Sequence, residues 1–337
     1  MTKTTIEWAD RSWNPVTGCE KVSAGCAHCY AEGIARRFWK DRKFTDVRIH
    51  PERLRDPLHW RKPARVFVNS MSDLFHDFVY DYNSSFIDEI FAVAAACPQH
   101  TFMILTKRSK IMKNYFNHPR RTMYVESALE WLYEGRIHMM PELVWPLPNV
   151  WLGVSVEDQR AAEERISDLL ETPAAIRFVS CEPLLGPVYL DEIPQVLLSV
   201  TKRKDSYLVD RGKLDWVIVG GESGPKARPM HPDWVRGIRD QCLAGNIPFF
   251  FKQWGEWGIE NDPYYHNDLS VYKEDFRGKL CKVETITSTE KKRIGNIHYV
   301  AYGNYNVEIL KKVGKKKAGR ELDGMVWDEF PEMAVNE

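Results

Sequence analysis

Short runs of β-branched and aromatic residues recur along the chain, and each ends in small polar or charged residues. They are RVFVNSMSD (65–73), TFMILTKR (101–108), NVWLGVSVED (149–158), IRFVSCEP (176–183), DWVIVGGESG (215–224) and IPFFFKQWG (247–255). Their apolar parts are nearly continuous rather than alternating, as in parallel strands covered on both faces. Helical spacing fills the intervals. A stretch over 84–97 follows Asn-Ser-Ser and stops at Pro98. Ser155-x-x-Asp158 has the form of a capping box opening a helix to Glu171, with Ile166, Leu169 and Leu170 on one face. Residues 231–244 carry Pro232 in the first turn and Trp234, Val235, Ile238 and Cys242 at helical spacing. Another helix is expected after Cys29, through YAEGIARRFWK.

Strands alternating with helices predict an α/β domain on a parallel sheet. With a first strand near 11–16, the count is about seven. Six tips carry polar chemistry, and a (β/α) barrel brings all such tips to one face, whereas a doubly wound open sheet concentrates function at one switch point. The expectation is therefore an α/β fold, a TIM-like (β/α) barrel, full or partial, over residues 1–255. Segments 115–148 and 193–213 break the repeat and read as insertions. Residues 256–337 are expected to form a C-terminal extension of mixed structure packing on the barrel.

With 337 residues, 44% of them hydrophobic, the chain can fill a sizeable core. Lys plus Arg and Asp plus Glu both total 47, so net charge supplies no global attraction to nucleic acid or membrane. Basic residues are in excess over 1–65 and in KKVGKKKAGR (311–320), acidic ones over 131–200. MTKTTIEWAD lacks the apolar stretch of a secretory signal, and the longest apolar run, FAVAAAC, is too short to span a bilayer. Seven cysteines, four of them scattered singly, argue against a disulfide framework and for a reducing compartment. A cytoplasmic protein without membrane attachment is expected.

The other three cysteines, Cys19, Cys26 and Cys29, fall in GCEKVSAGCAHCY (18–30). Four uses compete. A structural zinc ion takes four ligands, normally from two paired motifs. Only one CxxC is present, and His28 between its cysteines is badly placed for the same ion. A CxxC redox pair leaves Cys19 without a role. Burial as structural thiols does not suit a polar loop containing glycine. A 4Fe–4S cluster normally takes four thiolates, and three leave one iron open to a substrate or cofactor. The cluster is favoured over zinc, and buried structural thiols come last.

A three-cysteine loop after the first strand of a (β/α) barrel resembles the radical S-adenosylmethionine (SAM) superfamily. IEWADRSWNPVTGC, GCAHCYAE, FVNSMSDLFH, ILTKRS, WLGVSVED, RFVSCEPLLGP, VIVGGESGPKARPM and FKQWGEW together are similar to a narrower group over most of the chain. That group is the phage-associated three-cysteine-motif family of uncharacterised radical SAM-like proteins. Two features depart from the superfamily. Its usual CxxxCxxC is here CxxxxxxCxxC. Its glycine-rich SAM motif normally follows the second strand, where this chain has NSMSD; GGESG follows a much later strand.

The resemblance implies that Cys19, Cys26 and Cys29 ligate the cluster, and that SAM chelates the open iron through its amino and carboxylate groups. His28 stands before the last cysteine, where the superfamily usually has an aromatic residue whose backbone meets adenine; its alternative is a plain surface imidazole. Ser70, Ser72 and Asp73 are assigned to the methionine ammonium. Ser155 and Glu157 are assigned to methionine or ribose hydroxyls, with Ser155 equally suited to capping a helix. In GGESG, Gly220 and Gly221 let backbone approach a ligand and Glu222 accepts a hydrogen bond from it, although a left-handed turn needs glycines too. Cys181 and Glu182, on the fifth tip, are the catalytic candidates, Cys181 as a hydrogen-atom donor or an inert buried thiol. Lys107, Arg108, Lys252 and Gln253 suit an anionic substrate or plain solvation. Trp254 and Trp257 suit base stacking or packing of the C-terminal region. Cys97 and Cys242 lie on apolar helix faces and read as core.

The expected activity is that of a radical SAM enzyme fed by an external electron donor. A nucleotide or nucleic-acid base is the first substrate considered, and the need for a partner protein stays open. The rival is a zinc-stabilised nucleic-acid-binding or DNA-processing accessory protein without SAM chemistry.

Overall fold

The six apolar runs and the expected first strand pair into one sheet. The strands are β1 (Arg11–Trp13), β2 (Arg65–Val68), β3 (Thr101–Thr106), β4 (Val150–Ser155), β5 (Ile176–Cys181), β6 (Trp216–Gly220) and β7 (Phe249–Gln253). Their spatial order is their chain order, and every pair is parallel. The order reverses nowhere, so the sheet has no switch point and is singly wound. These strands belong to a computed structural model that describes residues 4, 6–193, 196, 213–259, 297–300 and 308–332. The expected insertion at 193–213 lies outside the described residues except at 193, 196 and 213, as does much of 256–337.

The sheet is curled. The Trp8 ring lies 4.7 Å from that of Phe67 on β2 and 6.3 Å from that of Trp216 on β6. In a flat sheet those two strands would stand four spacings apart, about 19 Å. The curl separates two cores by the pleat. Val66, Ile104, Leu152, Val179, Val219 and Phe251 face outward into the main core with the helices. Phe67, Met103, Trp151, Phe178, Trp216, Ile218 and Phe250 face inward around Trp8. Gly153 on β4 makes room inside, since a Cβ there would lie 2.5 Å from the Phe178 ring. The result is a half-barrel, an α/β fold with helices on its outer face.

Among the described residues, six helices of eight or more residues accompany it: α1 (Tyr30–Phe38), α2 (Asp77–Ala95), α3 (Ser109–Phe116), α4 (Arg121–Leu132), α5 (Gln159–Leu170) and α6 (Pro232–Gly245). α2 begins earlier than expected, capped by His76, and Asn83 leaves helical geometry just before the predicted start. α5 is capped by Asp158, whose side chain accepts from the Ala161 amide, so Ser155 ends β4 instead of opening the helix. Within 115–148, α4 joins the helix layer: Val125 and Leu129 enter the main core, and buried Arg121 pairs with Asp88 of α2.

The described part of 256–337 packs on the half-barrel. Trp257–Ile259, Ile297–Val300 and Glu308–Lys312 form an antiparallel sheet. The last described residues line the free edge of β7, where the Phe251 amide donates to the Trp327 carbonyl. Phe330 stops the end of the bowl away from the strand tips, its ring 4.9 Å from that of Trp216 and 4.3 Å below the Arg65 guanidinium. Among the described residues, no helix is long and apolar enough to cross a membrane.

Candidate functional site

Parallel strands end together, so residues far apart in sequence meet at the C-terminal rim. There they surround a cavity of about 420 Å³. Cys19, Cys26 and Cys29 line it from the loop between β1 and α1, with His28 beside them. Ser70, Ser72 and Asp73 line it after β2, Ser155 at the end of β4, Glu182 after β5, and Gly221 and Glu222 after β6. The three thiols are free and partly accessible.

The cysteine loop is held from three sides. Gly18 enters it at φ +93°, and a Cβ there would lie 2.6 Å from the Asp46 carbonyl oxygen, so only glycine fits. The Ser72 hydroxyl donates to the Gly18 carbonyl over 2.6 Å. On the far side His28 Nδ1 lies 3.1 Å from Glu222 Oε2, while Arg228 pairs with Glu222 at 2.6 Å and donates to the Ala24 carbonyl at 3.0 Å. Burial alone would raise the Glu222 carboxyl, but the bonds from Arg228 and His28 hold it below the usual carboxylate range. Cys29 is the N-cap of α1. Burial pushes its thiol up, against the pull of the Glu32 and Ala31 amides.

A chain of polar contacts reaches the first cysteine. Asp73 accepts from Thr106 Oγ1 at 2.7 Å, the Phe75 amide at 3.0 Å, the Lys107 amide at 3.1 Å and Arg108 Nη1 at 3.3 Å. That same Nη1 lies 3.7 Å from Cys19 Sγ. Asp73 is thus saturated, and its place is to aim Arg108 at the sulfur, not to receive the ammonium of a ligand. Burial, with Asp73 nearby, pushes the Cys19 thiol up to about 11 although Arg108 opposes it. Lys107 donates to Ser155 Oγ, which donates in turn to the Glu182 carbonyl. The Glu182 carboxylate receives Lys252 Nζ at 2.8 Å on each oxygen and Gln253 at 3.3 Å.

Three expected site residues do not face the cavity. Cys181 follows Ser180 on β5, and the pleat that turns Ser180 inward sends Cys181 into the main core, where burial raises its thiol to about 12. It cannot serve a radical in the cavity. Glu157 lies beneath the cysteine loop, pairs with Arg165 at 2.9 Å, and is held low by Lys107, Ser23 and Arg165 in spite of burial. Its role is support of the loop. Gly220 ends β6 against the Glu182 side chain, which a Cβ would approach to 3.2 Å. Gly221 does reach the cavity, yet its necessity is packing: a Cβ would fall 2.0 Å from the Trp254 carbonyl oxygen. Trp254 and Trp257 are buried in packing.

Other lining residues carried little signal in the sequence. Asn69 (φ 60°) accepts from the Val16 amide through Oδ1, while its buried Nδ2 has no partner. Trp8 Nε1 and Glu7 Oε2 are likewise buried without hydrogen bonds. Lys315, from the distant basic run, reaches the rim and pairs with Glu7 at 2.9 Å. Only the fold could bring position 315 beside position 7. Among the described residues no three His, Cys, Asp or Glu side chains converge as one metal ion would require.

No curated protein and no solved structure matches the chain. A family model does, over residues 3–331, and the chain belongs to that family, described as a protein of unknown function (DUF5131).

Proposed function

We propose that the protein is a radical SAM enzyme, its half-barrel a partial (β/α) barrel in which Cys19, Cys26 and Cys29 hold a 4Fe–4S cluster. One observation carries the reading: three free cysteines, and no fourth among the described residues, line a cavity at the strand-tip end of a singly wound parallel sheet. The donor set fits the group. A cube presents a separate iron to each thiolate, so its ligands stand farther apart than those of one tetrahedral zinc ion. Three cysteines lining one cavity supply thiolates for three of a cube's four irons.

When bound, the cluster supplies one-electron cleavage of SAM and, through the 5′-deoxyadenosyl group released, abstraction of hydrogen from a substrate. The chain's own residues do the rest. Arg108 places a buried positive charge against Cys19 and favours its thiolate form. Glu222, Arg228 and Glu157 fix the loop so that the sulfurs stay at the rim. Trp8, Phe67 and Leu105 give the cavity an apolar floor that keeps water away from reactive species. Ser70 and Ser72 lie beside the cysteines, but their hydroxyls already donate to Asn14 and Gly18, so a ligand meets them as acceptors. Glu182 and Lys252 form the opposite wall and are the groups placed to orient a substrate. Lys315 at the rim favours an anionic one, a nucleotide or nucleic-acid base with its phosphates.

Anaerobic reconstitution with iron and sulfide tests the proposal, followed by SAM and dithionite. The expected result is brown protein with about four irons per chain and release of 5′-deoxyadenosine. Colourless protein with one zinc and no cleavage would replace it with the zinc-stabilised reading.

A further inference from the structure

Three hydrogen-bond donors on the floor of the cavity have no protein acceptor among the described residues. Asn69 stands two residues beyond inward-facing Phe67, and Ser180 two beyond inward-facing Phe178; both line the cavity. The Trp8 ring packs between those two phenyl rings, 4.7 Å from one and 6.2 Å from the other. Asn69, Ser180 and Trp8 are 3%, 1% and 2% exposed. Asn69 Oδ1 accepts from the Val16 amide, so turning the side chain over would set donor against donor, and buried Nδ2 stays without a partner. Trp8 Nε1 is buried without a hydrogen bond, and the Ser180 hydroxyl makes none among the described residues. One acceptor stands beside them, Glu7 Oε2, also without a hydrogen bond and 4.0 Å from Lys252 Nζ. Leaving buried donors unpaired is destabilising, so this set describes the ligand that would pair it.

We infer that the floor binds the ring of a uracil- or thymine-type pyrimidine, its carbonyl oxygens toward Asn69, Ser180 and Trp8 and its ring N–H toward Glu7, with the phosphate outward at Lys315. The inference deepens the nucleotide reading above and rests on the same cavity, but it does not need the cluster. The three donors are neutral, as suits carbonyl oxygens. A phosphate or carboxylate on the floor would face the Glu7 and Glu182 carboxylates, and Lys252, the cation of that wall, is already held by both Glu182 oxygens. Phe67 and Leu105 beside the donors suit the apolar faces of a ring. The oxo edge of such a pyrimidine reads acceptor, donor, acceptor, the complement of what the floor leaves unpaired. Adenine offers no carbonyl and adds an amine donor.

The test is calorimetry on the metal-free full chain with UMP, dTMP, AMP and inorganic phosphate. UMP or dTMP should bind wild type at least about tenfold more tightly than AMP or phosphate, as two lost hydrogen bonds predict. Ser180→Ala removes a hydroxyl that holds nothing in the protein, so its melting temperature should match or exceed that of wild type while pyrimidine affinity falls several-fold. Asn69→Asp keeps an oxygen on the Val16 amide and turns a second oxygen toward the ligand, so pyrimidine affinity should fall at least about tenfold. Both losses should be confined to the pyrimidine nucleotides. Should Asn69→Asp fail to fold, Ser180→Ala and the wild-type order of ligands decide. Unchanged pyrimidine affinity in Ser180→Ala, or phosphate binding as tightly as UMP, overturns the inference. So does AMP binding as tightly as the pyrimidines or more so, which would give the floor to the adenine of SAM. Absence of iron and of SAM cleavage on reconstitution overturns the enzyme proposal and leaves this result standing; iron and cleavage in a protein without pyrimidine preference overturn this inference alone.

Discussion

His28 Nδ1 lies 3.1 Å from Glu222 Oε2, joining the space between the last two cysteines to a strand tip 194 residues away. The cysteine loop has little regular structure of its own, so contacts of this kind set its shape.

The Glu222 contact gives the loop a pH dependence. Its folded carboxyl is depressed below the ordinary carboxylate value of 4.5, so its contribution is present above the unfolded value and is lost as pH falls through the folded one. Thermal unfolding of wild type should therefore drop more steeply below pH 4.5 than that of Glu222→Gln. At neutral pH the same variant should expose the loop, with Cys26 and Cys29 alkylated several-fold faster. Identical melting profiles and alkylation rates would sink the anchoring role.

Arg108 and Asp73 are buried partners, with side chains 6% and 8% exposed. Breaking a buried pair typically costs about 3–5 kcal/mol. Asp73 keeps its bonds from Thr106 and two amides, so Arg108→Met should fall at the low end, about 3 kcal/mol in urea unfolding. Asp73→Asn should cost at least as much, because it leaves the buried Arg108 guanidinium with only the exposed Asp77 and turns an amide NH2 toward hydrogen-bond donors.

The cysteines divide by face. Serine at Cys19, Cys26 or Cys29 should abolish iron uptake on reconstitution, since a hydroxyl replaces a thiolate poorly as an iron–sulfur ligand. Cys97→Ser, Cys181→Ser and Cys242→Ser should keep wild-type iron content and lose about 1–3 kcal/mol for a buried hydroxyl. Iron analysis beside urea denaturation separates the two groups, and retained iron in Cys26→Ser would remove the cluster assignment.

Gly153 and Phe178 should behave as a couple. Gly153→Ala drives a methyl into the Phe178 ring and should cost about 1–3 kcal/mol by overpacking. Adding Phe178→Leu should cost less than the sum of the two single changes, the sign of a shared space. Additive losses would mean that the two do not compete for it.

The basic run reaches the rim through Lys315, so its neutralisation is a test of the substrate. For a duplex the log–log salt slope of binding should flatten by about 0.9 per phosphate contact removed, and by about 0.7 for a single strand. Salt titrations of wild type against Lys315→Gln/Lys316→Gln/Lys317→Gln read this directly. Equal slopes would remove nucleic acid from the lead and leave a nucleotide, peptide or small metabolite.

The sequence by itself determined which segments pair and in what direction. Continuous apolar runs such as those at β3 and β6 can be satisfied only by cover on both faces, and intervening helices force neighbours to be parallel. Parallel pairing in turn sends every polar tip to one rim, so Cys19, Ser155 and Glu222 could be grouped before any coordinates. Their partners could not. Ser180 and Cys181 are both small and polar enough for a site, and only the pleat and curl decide that one faces the cavity and the other the helices. Asp73, Glu157 and Glu222 all read as ligand carboxylates in the sequence, while in the structure they fix Arg108 or the cysteine loop. Lys315 joined the rim through a chain reversal that no local pattern encodes. Local periodicity reports burial, because burial is a property of one element against its neighbours. The direction of a particular side chain, and the charge it meets there, depends on strands more than a hundred residues away.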